Sequence, residues 1–275
     1  CIPVVTTILL AFTGMGPDTQ AKFGWEALKN YKMIFLGEGM VGAIFWRILG
    51  WTIVWTIGAT TLAIALGFIL AIVLNNDRIK GKVLFRSIYL LPWAVPAFIS
   101  ILFFSILFAD GGTVVNSLRE VFGPNFSIKN DPFVIRVVLI CIQAWLGSAY
   151  IFLLSTGVLQ SINAELYEAA DIDGATSFKK LTKITVPLVL FQTAPLLVGQ
   201  YTFNFNNFSI IALFNNGGPF DPSKYGNLAG SSDLLISYIF KLTMNSQYQA
   251  IGATITVIIS VALMIIAYIG YKNTD

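Results

Sequence analysis

Five stretches of this chain contain no Asp, Glu, Lys or Arg: residues 48–76, 87–109, 137–164, 184–220 and 242–271, running to 29, 23, 28, 37 and 30 residues. Each exceeds the roughly 20 apolar residues that a helix needs to cross a bilayer. A water-soluble core of 275 residues has no room for so many uncharged runs, and the charged fraction is only 11% against a usual figure of about a quarter. In lipid, backbone polar groups must be satisfied within their own segment, so the runs are read as helices. The expected fold is an all-α, polytopic transmembrane helical bundle. Residues 1–17 are also uncharged and no Met opens the chain, so the expectation is five full spans plus a truncated N-terminal span, in a single transmembrane domain over 1–275.

Several chemistries are excluded at once. There is no His, hence no imidazole base or ligand, and two cysteines, Cys1 and Cys141, do not make a tetrahedral thiolate site. No metal, no cofactor and no catalytic residue is expected. Cys141 falls within a span, where it reads as a small buried apolar residue. The net charge of +3 is ordinary for basic residues that flank spans at the lipid surface, so no nucleic-acid partner is inferred.

Charge also orients the chain. The alternating connections 77–86, 165–183 and 272–275 hold 8 Lys/Arg in 33 residues, whereas 18–47, 110–136 and 221–241 hold 9 in 78. By the positive-inside rule the first set is cytoplasmic. On the other side, Gly16-Pro17-Asp18 is expected to break the first span, and Trp25, Leu28, Tyr31 and Met33 to Phe35 to form an interfacial helix. Asn215-Asn216-Gly217-Gly218-Pro219 should end the fifth span, and residues 233–241 read as a short helix near the membrane surface.

An ion-coupled carrier usually needs an ionisable side chain among its spans, and the long runs hold none. The phosphate loop G-x-x-x-x-G-K-[ST] is absent as well; Gly174 to Lys180 lacks its second Gly. A transport reading therefore needs an engine in a partner and a docking element on the cytoplasmic side. Residues 163–187 parse as helix, turn, helix. Asn163 is placed to cap, Glu165 favours the helix start, and Gly174 supplies a left-handed residue at its end. Ile162, Leu166, Ala169 and Ala170 fall on one face, with Glu165, Glu168 and Asp171 on another.

The pattern E-A-A-x3-G-x9-I-x-x-P occurs as Glu168, Ala169, Ala170, Gly174, Ile184 and Pro187. It resembles the signature of binding-protein-dependent ABC importer permeases, with Val186 where that family usually has Leu. The similarity runs from about Trp25 to the end and is to the maltose/maltodextrin permease subunits in particular. It includes Arg86-x-x-Tyr-Leu-Leu-Pro-Trp-Ala-Val-Pro-Ala-Phe98, Trp145-Leu-Gly-x-x-Tyr150 and Phe203-Asn-Phe-Asn-Asn-Phe208. The resemblance implies a type I importer permease fold in a bacterial plasma membrane, surrounded by lipid. It also makes 163–183 a cytoplasmic coupling-helix loop, in which Glu168, Ala169, Ala170, Asp173 and Gly174 dock on a cytoplasmic ATP-binding subunit dimer. The chain itself would then be no enzyme. A second permease subunit and an extracytoplasmic sugar-binding protein are the other implied partners, and a malto-oligosaccharide the substrate.

The run 184–220 would extend about 55 Å as one straight helix, so breaks are expected at Pro187, Pro195 or Gly199. Its segment 203–208 places three Asn among three Phe. Amides facing lipid are costly, so they should meet a cavity or another helix. Rings that stack on the C–H faces of a pyranose, beside amides that meet its hydroxyls, suit a neutral sugar; amides that merely join helices fit the same pattern. The resemblance carries sugar contact onto Gly147, Tyr150, Phe203, Asn204 and Asn207, with Phe208 beside them. Gln200 stands where that family commonly differs, and Pro92, Trp93 and Pro96 are read as shaping their span. The alternatives are a permease for another neutral sugar or polyol, a self-sufficient channel or ion-coupled carrier, and a purely structural membrane anchor.

Overall fold

The computed structural model describes residues 2–16, 24–76 and 79–272, the side chains of 270–272 excepted. Cys1, the Pro17-Asp18 part of the expected first break, and Arg78 of the basic connection lie outside the described residues. In chain order the helices are α1 (Ile2–Leu10), α2 (Lys29–Leu36), α3 (Gly39–Leu74), α4 (Lys82–Ala94), α5 (Ala97–Leu107), α6 (Thr113–Phe122) and α7 (Pro132–Ser161). There follow α8 (Ala164–Ile172), α9 (Ser177–Lys180), a π turn (Leu181–Thr185), α10 (Val186–Phe205), α11 (Phe208–Asn215), α12 (Pro222–Tyr225), α13 (Leu235–Phe240), a second π turn (Lys241–Asn245) and α14 (Gln249–Lys272). Among the described residues the only β pairing is a single bridge between Thr13 and Trp25.

Four helical stretches are long and apolar enough to cross a membrane, Gly39–Leu74, Pro132–Ser161, Ser177–Asn215 and Gln249–Ile269, and α4 with α5 makes a fifth, bent by 90°. These match the five uncharged runs, with α1 in the sixth. The bend has a local cause. Pro96 forces its predecessor out of the helical region, and Val95 sits at φ −84°, ψ 132°. Pro92, by contrast, is accommodated inside α4.

The chain divides into two compact units. The first comprises residues 1–56, 101–138 and 202–275. Its core gathers Ile34, Ile44, Ile48, Leu235, Tyr238 and Ile255. The end of α1 is fixed to α14 by a hydrogen bond from Thr254 Oγ1 to the Ala11 carbonyl (3.0 Å), and buried Asn30 donates to the carbonyls of Ala11 and Thr13 (3.1 and 2.8 Å). Of the segment expected as a helix from Trp25, only Lys29–Leu36 is helical (α2), anchored by Asn30 and Ile34 while Phe35 and Leu36 stay exposed, and Trp25 pairs instead with Thr13.

The second unit comprises residues 57–100 and 139–201, with Ala71, Leu74, Phe152, Leu159 and Val189 at its core. Here α3 and α7 approach closely at Gly67. A Cβ there would lie 2.5 Å from the Ser148 carbonyl oxygen and 2.9 Å from the Phe152 nitrogen. Gly67→Ala is therefore expected to force the helices apart and cost about 1–3 kcal/mol. Gly50→Ala, on the same helix with nothing within 4 Å of the added carbon, should be neutral or slightly stabilising. Thermal unfolding of the two variants in detergent checks the contrast; equal midpoints would refute it.

Three expectations need correction. Residues 186–205 form one helix through Pro195 and Gly199; an irregularity adjoins Pro187, where the π turn ends at Thr185, and the further break falls at residues 206 and 207. Asn side chains compete for backbone hydrogen bonds more effectively here than one proline interrupts them. Cys141 is exposed on α7 rather than buried, since a weakly polar thiol tolerates an apolar exterior. Residues 233–241, expected as a short helix near the membrane surface, form the helix only over Leu235–Phe240 and pack largely inside the protein rather than lying open: Leu234, Leu235 and Tyr238 are fully buried, Asp233 and Lys241 are buried with them, and Phe240 is exposed.

Candidate substrate and coupling sites

In the first unit, the amide and ring cluster surrounds the break between α10 and α11. Asn204 is buried at 3% exposure, and its carbonyl accepts the indole N–H of fully buried Trp55 (2.9 Å). Phe203, next to it, is 60% exposed. The helix ends at Phe205, after which Asn206 Nδ2 turns back to the Thr202 carbonyl (3.1 Å). Asn207 has non-helical backbone and its side-chain oxygen accepts the Ile210 N–H (3.5 Å), so it opens α11 as an N-cap. Phe208 packs on Phe240 with ring centroids 5.0 Å apart. Of the expected sugar contacts, Asn207 therefore also shapes the backbone, while Asn204 is buried and meets Trp55 through its main-chain carbonyl. In the second unit, Gly147 and Tyr150 lie on α7, both half-buried; a Cβ on Gly147 would make ordinary contact with Ala63.

Beyond α11 the chain makes a device that sequence reasoning missed. Asn216 and Gly217 take left-handed backbone, and the chain returns to place Asp233 beneath them. Asp233 Oδ2 accepts the Gly230 N–H (2.7 Å) and the Lys241 ammonium (2.6 Å), while Oδ1 accepts the Ser237 hydroxyl (2.8 Å). Lys241 also donates to the Asn216 carbonyl (2.7 Å) and lies 5.0 Å from the Phe220 ring centre. The pair's side chains are 0% and 9% exposed. Burial pushes the Asp233 carboxyl up from the ordinary carboxylate range, and Lys241 with the hydrogen bonds pulls it back. A Cβ on Gly217 would collide with the Asp233 carboxylate, so no other residue fits there. The neighbouring backbone is held by α3 and α7. Trp51 Nε1 donates to the Ser232 carbonyl (3.2 Å), the Leu235 N–H donates to Thr52 Oγ1 (3.0 Å), and Arg136 donates to the Ser231 carbonyl (2.6 Å) while stacking over Trp51 (4.7 Å). The available signal was one Asp and one Lys eight residues apart around an apolar stretch, downstream of two glycines.

The expected coupling element forms as its local chemistry dictates. Asn163 Oδ1 accepts the Glu165 N–H (3.1 Å), and the helix closes with the Ala175 N–H on the Ala170 carbonyl (2.8 Å) and the Gly174 N–H on the Asp171 carbonyl (3.0 Å). Gly174 has φ +70°, the left-handed conformation this ending requires. α8 has no buried residue. Glu168, Ala169, Asp173 and Gly174 are exposed and Ala170 is half-buried, while Leu166, on the same predicted apolar face as Ala169 and Ala170, is exposed too. Within α8, Tyr167 and Ala170 are the half-buried residues.

A family model described as "Binding-protein-dependent transport system inner membrane component" matches residues 63–275. The chain belongs to that family. It is thus an inner-membrane component, and its apolar helices are membrane spans. The maltodextrin transport system permease protein MdxF of Bacillus subtilis is 46% identical over 286 residues, covering 99% of this chain and 65% of the relative. The galactooligosaccharides transport system permease protein GanP of the same organism is 43% identical over 277 residues, covering 99% and 65%. The chain therefore spans slightly under two thirds of the length of these relatives. Among solved structures, a bacterial ABC transporter involved in the import of the acidic polysaccharide alginate superposes with a TM-score of 0.79 at 21% identity, covering 99% of this chain and 88% of that one. That likeness establishes the fold, the type I importer permease bundle expected from the sequence.

Proposed function

We propose that this chain is a transmembrane permease subunit of an ATP-driven ABC importer for maltodextrins and forms half of the translocation pathway. The 46% identity to a maltodextrin permease over 99% of the chain carries the reading. In it, residues 163–183 are the coupling loop of a single permease domain, and Glu168, Ala169, Ala170, Asp173 and Gly174 meet a cytoplasmic ATP-binding subunit dimer that hydrolyses ATP. A second permease subunit completes the pathway, and an extracytoplasmic sugar-binding protein delivers the substrate. A bacterial alginate ABC transporter of the same fold was solved in complex with an alginate pentasaccharide-bound periplasmic protein.

Sugar recognition falls to Gly147, Tyr150, Phe203, Asn204, Asn207 and Phe208. Exposed Phe203 offers a ring face to the C–H side of a pyranose, and amides meet its hydroxyls as donor and acceptor. A neutral substrate fits spans that hold no counter-ion. Another neutral oligosaccharide is the second reading, favoured by the galactooligosaccharide relative at 43% identity.

Asn207 offers the test, because its capping and sugar-binding roles separate chemically. Asn207→Ser keeps a capping oxygen but removes the amide, whereas Asn207→Ala removes both. In the assembled importer, Asn207→Ser is expected to lower uptake at limiting maltodextrin by about 10- to 100-fold, the effect of leaving a substrate hydroxyl unpaired. Its folding stability should be nearly unchanged, while Asn207→Ala should also lose about 1 kcal/mol. Normal uptake by the Ser variant would make Asn207 a cap only. Vesicles holding the chain alone should move no sugar; flux without an ATPase would favour a channel or ion-coupled carrier instead.

A further inference from the structure

We propose that Tyr167 and Thr185 form a latch that positions α8 against the foot of α10 and passes its movement to that helix. The proposal rests on the coupling role of α8 given above. With no fully buried residue, and Leu166 and Ile172 47% and 87% exposed, α8 is held only weakly by apolar packing. Among the described residues, two side-chain polar contacts bind α8 to the rest of its unit. The Tyr167 hydroxyl is 2.9 Å from Thr185 Oγ1, and Asp171 Oδ1 is 2.6 Å from Lys180 Nζ. Tyr167 and Asp171 stand four residues apart, on one side of the helix.

The two contacts differ in strength of hold. Asp171 is 60% exposed, and an ion pair so open to water and salt contributes little. Thr185 is buried at 7% exposure, so its link to Tyr167 is shielded and is the one that fixes the stance of α8. Thr185 is also the last residue of the π turn Leu181–Thr185, and α10 begins at the next residue, Val186. A π turn is a place where a helix accommodates one residue of register, a feature frequent at functional sites. Displacing α8 therefore pulls on the turn from which α10 starts, and the Thr185 hydroxyl, 3.4 Å from the Lys180 carbonyl, bridges that turn as well.

Breaking the latch leaves the fold intact. A cleft of about 400 Å³ opens beside it, lined by Asn75, Asn76, Tyr167, Lys180 and Thr185 among others. Water in that cleft can satisfy a released tyrosine hydroxyl. The loss should appear in coupling and not in stability.

The experiment uses proteoliposomes containing the complete importer, with maltodextrin uptake and ATP hydrolysis measured in the same vesicles. Thr185→Val and Tyr167→Phe are expected to lower sugar moved per ATP about fivefold, the factor corresponding to one net hydrogen bond. The double variant should be no worse than either single one, and Thr185→Ser, which keeps the hydroxyl, should retain the original ratio. The ATPase should still co-purify with all four. A ratio within twofold of the original in both Thr185→Val and Tyr167→Phe would overturn the latch. Glu168→Lys distinguishes that result from failure of the underlying reading: if it leaves ATPase binding and uptake intact, the coupling role of α8 falls, and the latch with it.

Discussion

Asp233→Ala or Lys241→Met, made singly, is expected to destabilise the first unit by about 3–5 kcal/mol, enough to remove most folded protein from the membrane. The size follows from what each change leaves behind. Asp233 is fully buried and Lys241 nearly so, with the carboxylate and ammonium 2.6 Å apart. Removing one partner strands the other charge where water does not reach it. The Ser237 hydroxyl and the Gly230 N–H also lose their acceptor when Asp233 goes, and the Asn216 carbonyl loses its donor when Lys241 goes. The double variant Asp233→Leu/Lys241→Met should recover much of the loss, because an apolar pair carries no stranded charge. Thermal unfolding of the detergent-purified chain distinguishes the cases. If the double variant is as unstable as the sum of the singles, the charges are not coupled, and the loop is held by its other hydrogen bonds.

The buried pair also marks where reading the sequence stopped. Membrane spans were legible because the absence of charge over 20 or more residues is a one-dimensional property, and Pro96 announced its bend through steric effects on one neighbour. Helix α8 was legible for the same reason: Asn163 and Gly174 act within four residues of themselves. Asp233 was not, because its burial depends on the chain returning under Gly217 after sixteen residues, although its own partners Gly230, Ser237 and Lys241 are close in sequence. An isolated Asp and Lys beside an apolar stretch look like a surface helix until that path is known. The break in 184–220 was misplaced by relying on proline and glycine. What ends α10 is a pair of amides, Asn206 folding back on Thr202 and Asn207 capping α11, and of these Asn207 is also an expected sugar contact. On α8, helical periodicity grouped Leu166 with Ala169 and Ala170 on one apolar face, but Leu166 and Ala169 are exposed and Tyr167, through its hydroxyl contact with Thr185, is the residue turned toward the unit.

Glu168→Lys combined with Ala169→Asp is expected to bring ATP-driven uptake down to the background seen without ATP, while the chain folds as before. The separation rests on exposure. Both residues face outward on a helix with no buried residue, and substitutions at such positions usually change stability by no more than about 0.5 kcal/mol. A large functional loss must then arise in a partner that covers them. Ala169 permits close approach of a second surface, which an Asp side chain blocks both by size and by its need for water. Reversing the charge at Glu168 opposes whatever basic groups meet it. Deleting 165–171 should abolish uptake in the same way, with the spans still inserted, since the segment contributes nothing to the core of its unit. Co-purification of the ATP-binding subunits, measured beside uptake and thermal stability, separates the outcomes. Loss of ATPase binding with an unchanged unfolding midpoint supports docking at α8. Normal uptake after the deletion would mean that the chain is a membrane anchor whose cytoplasmic loop transmits nothing.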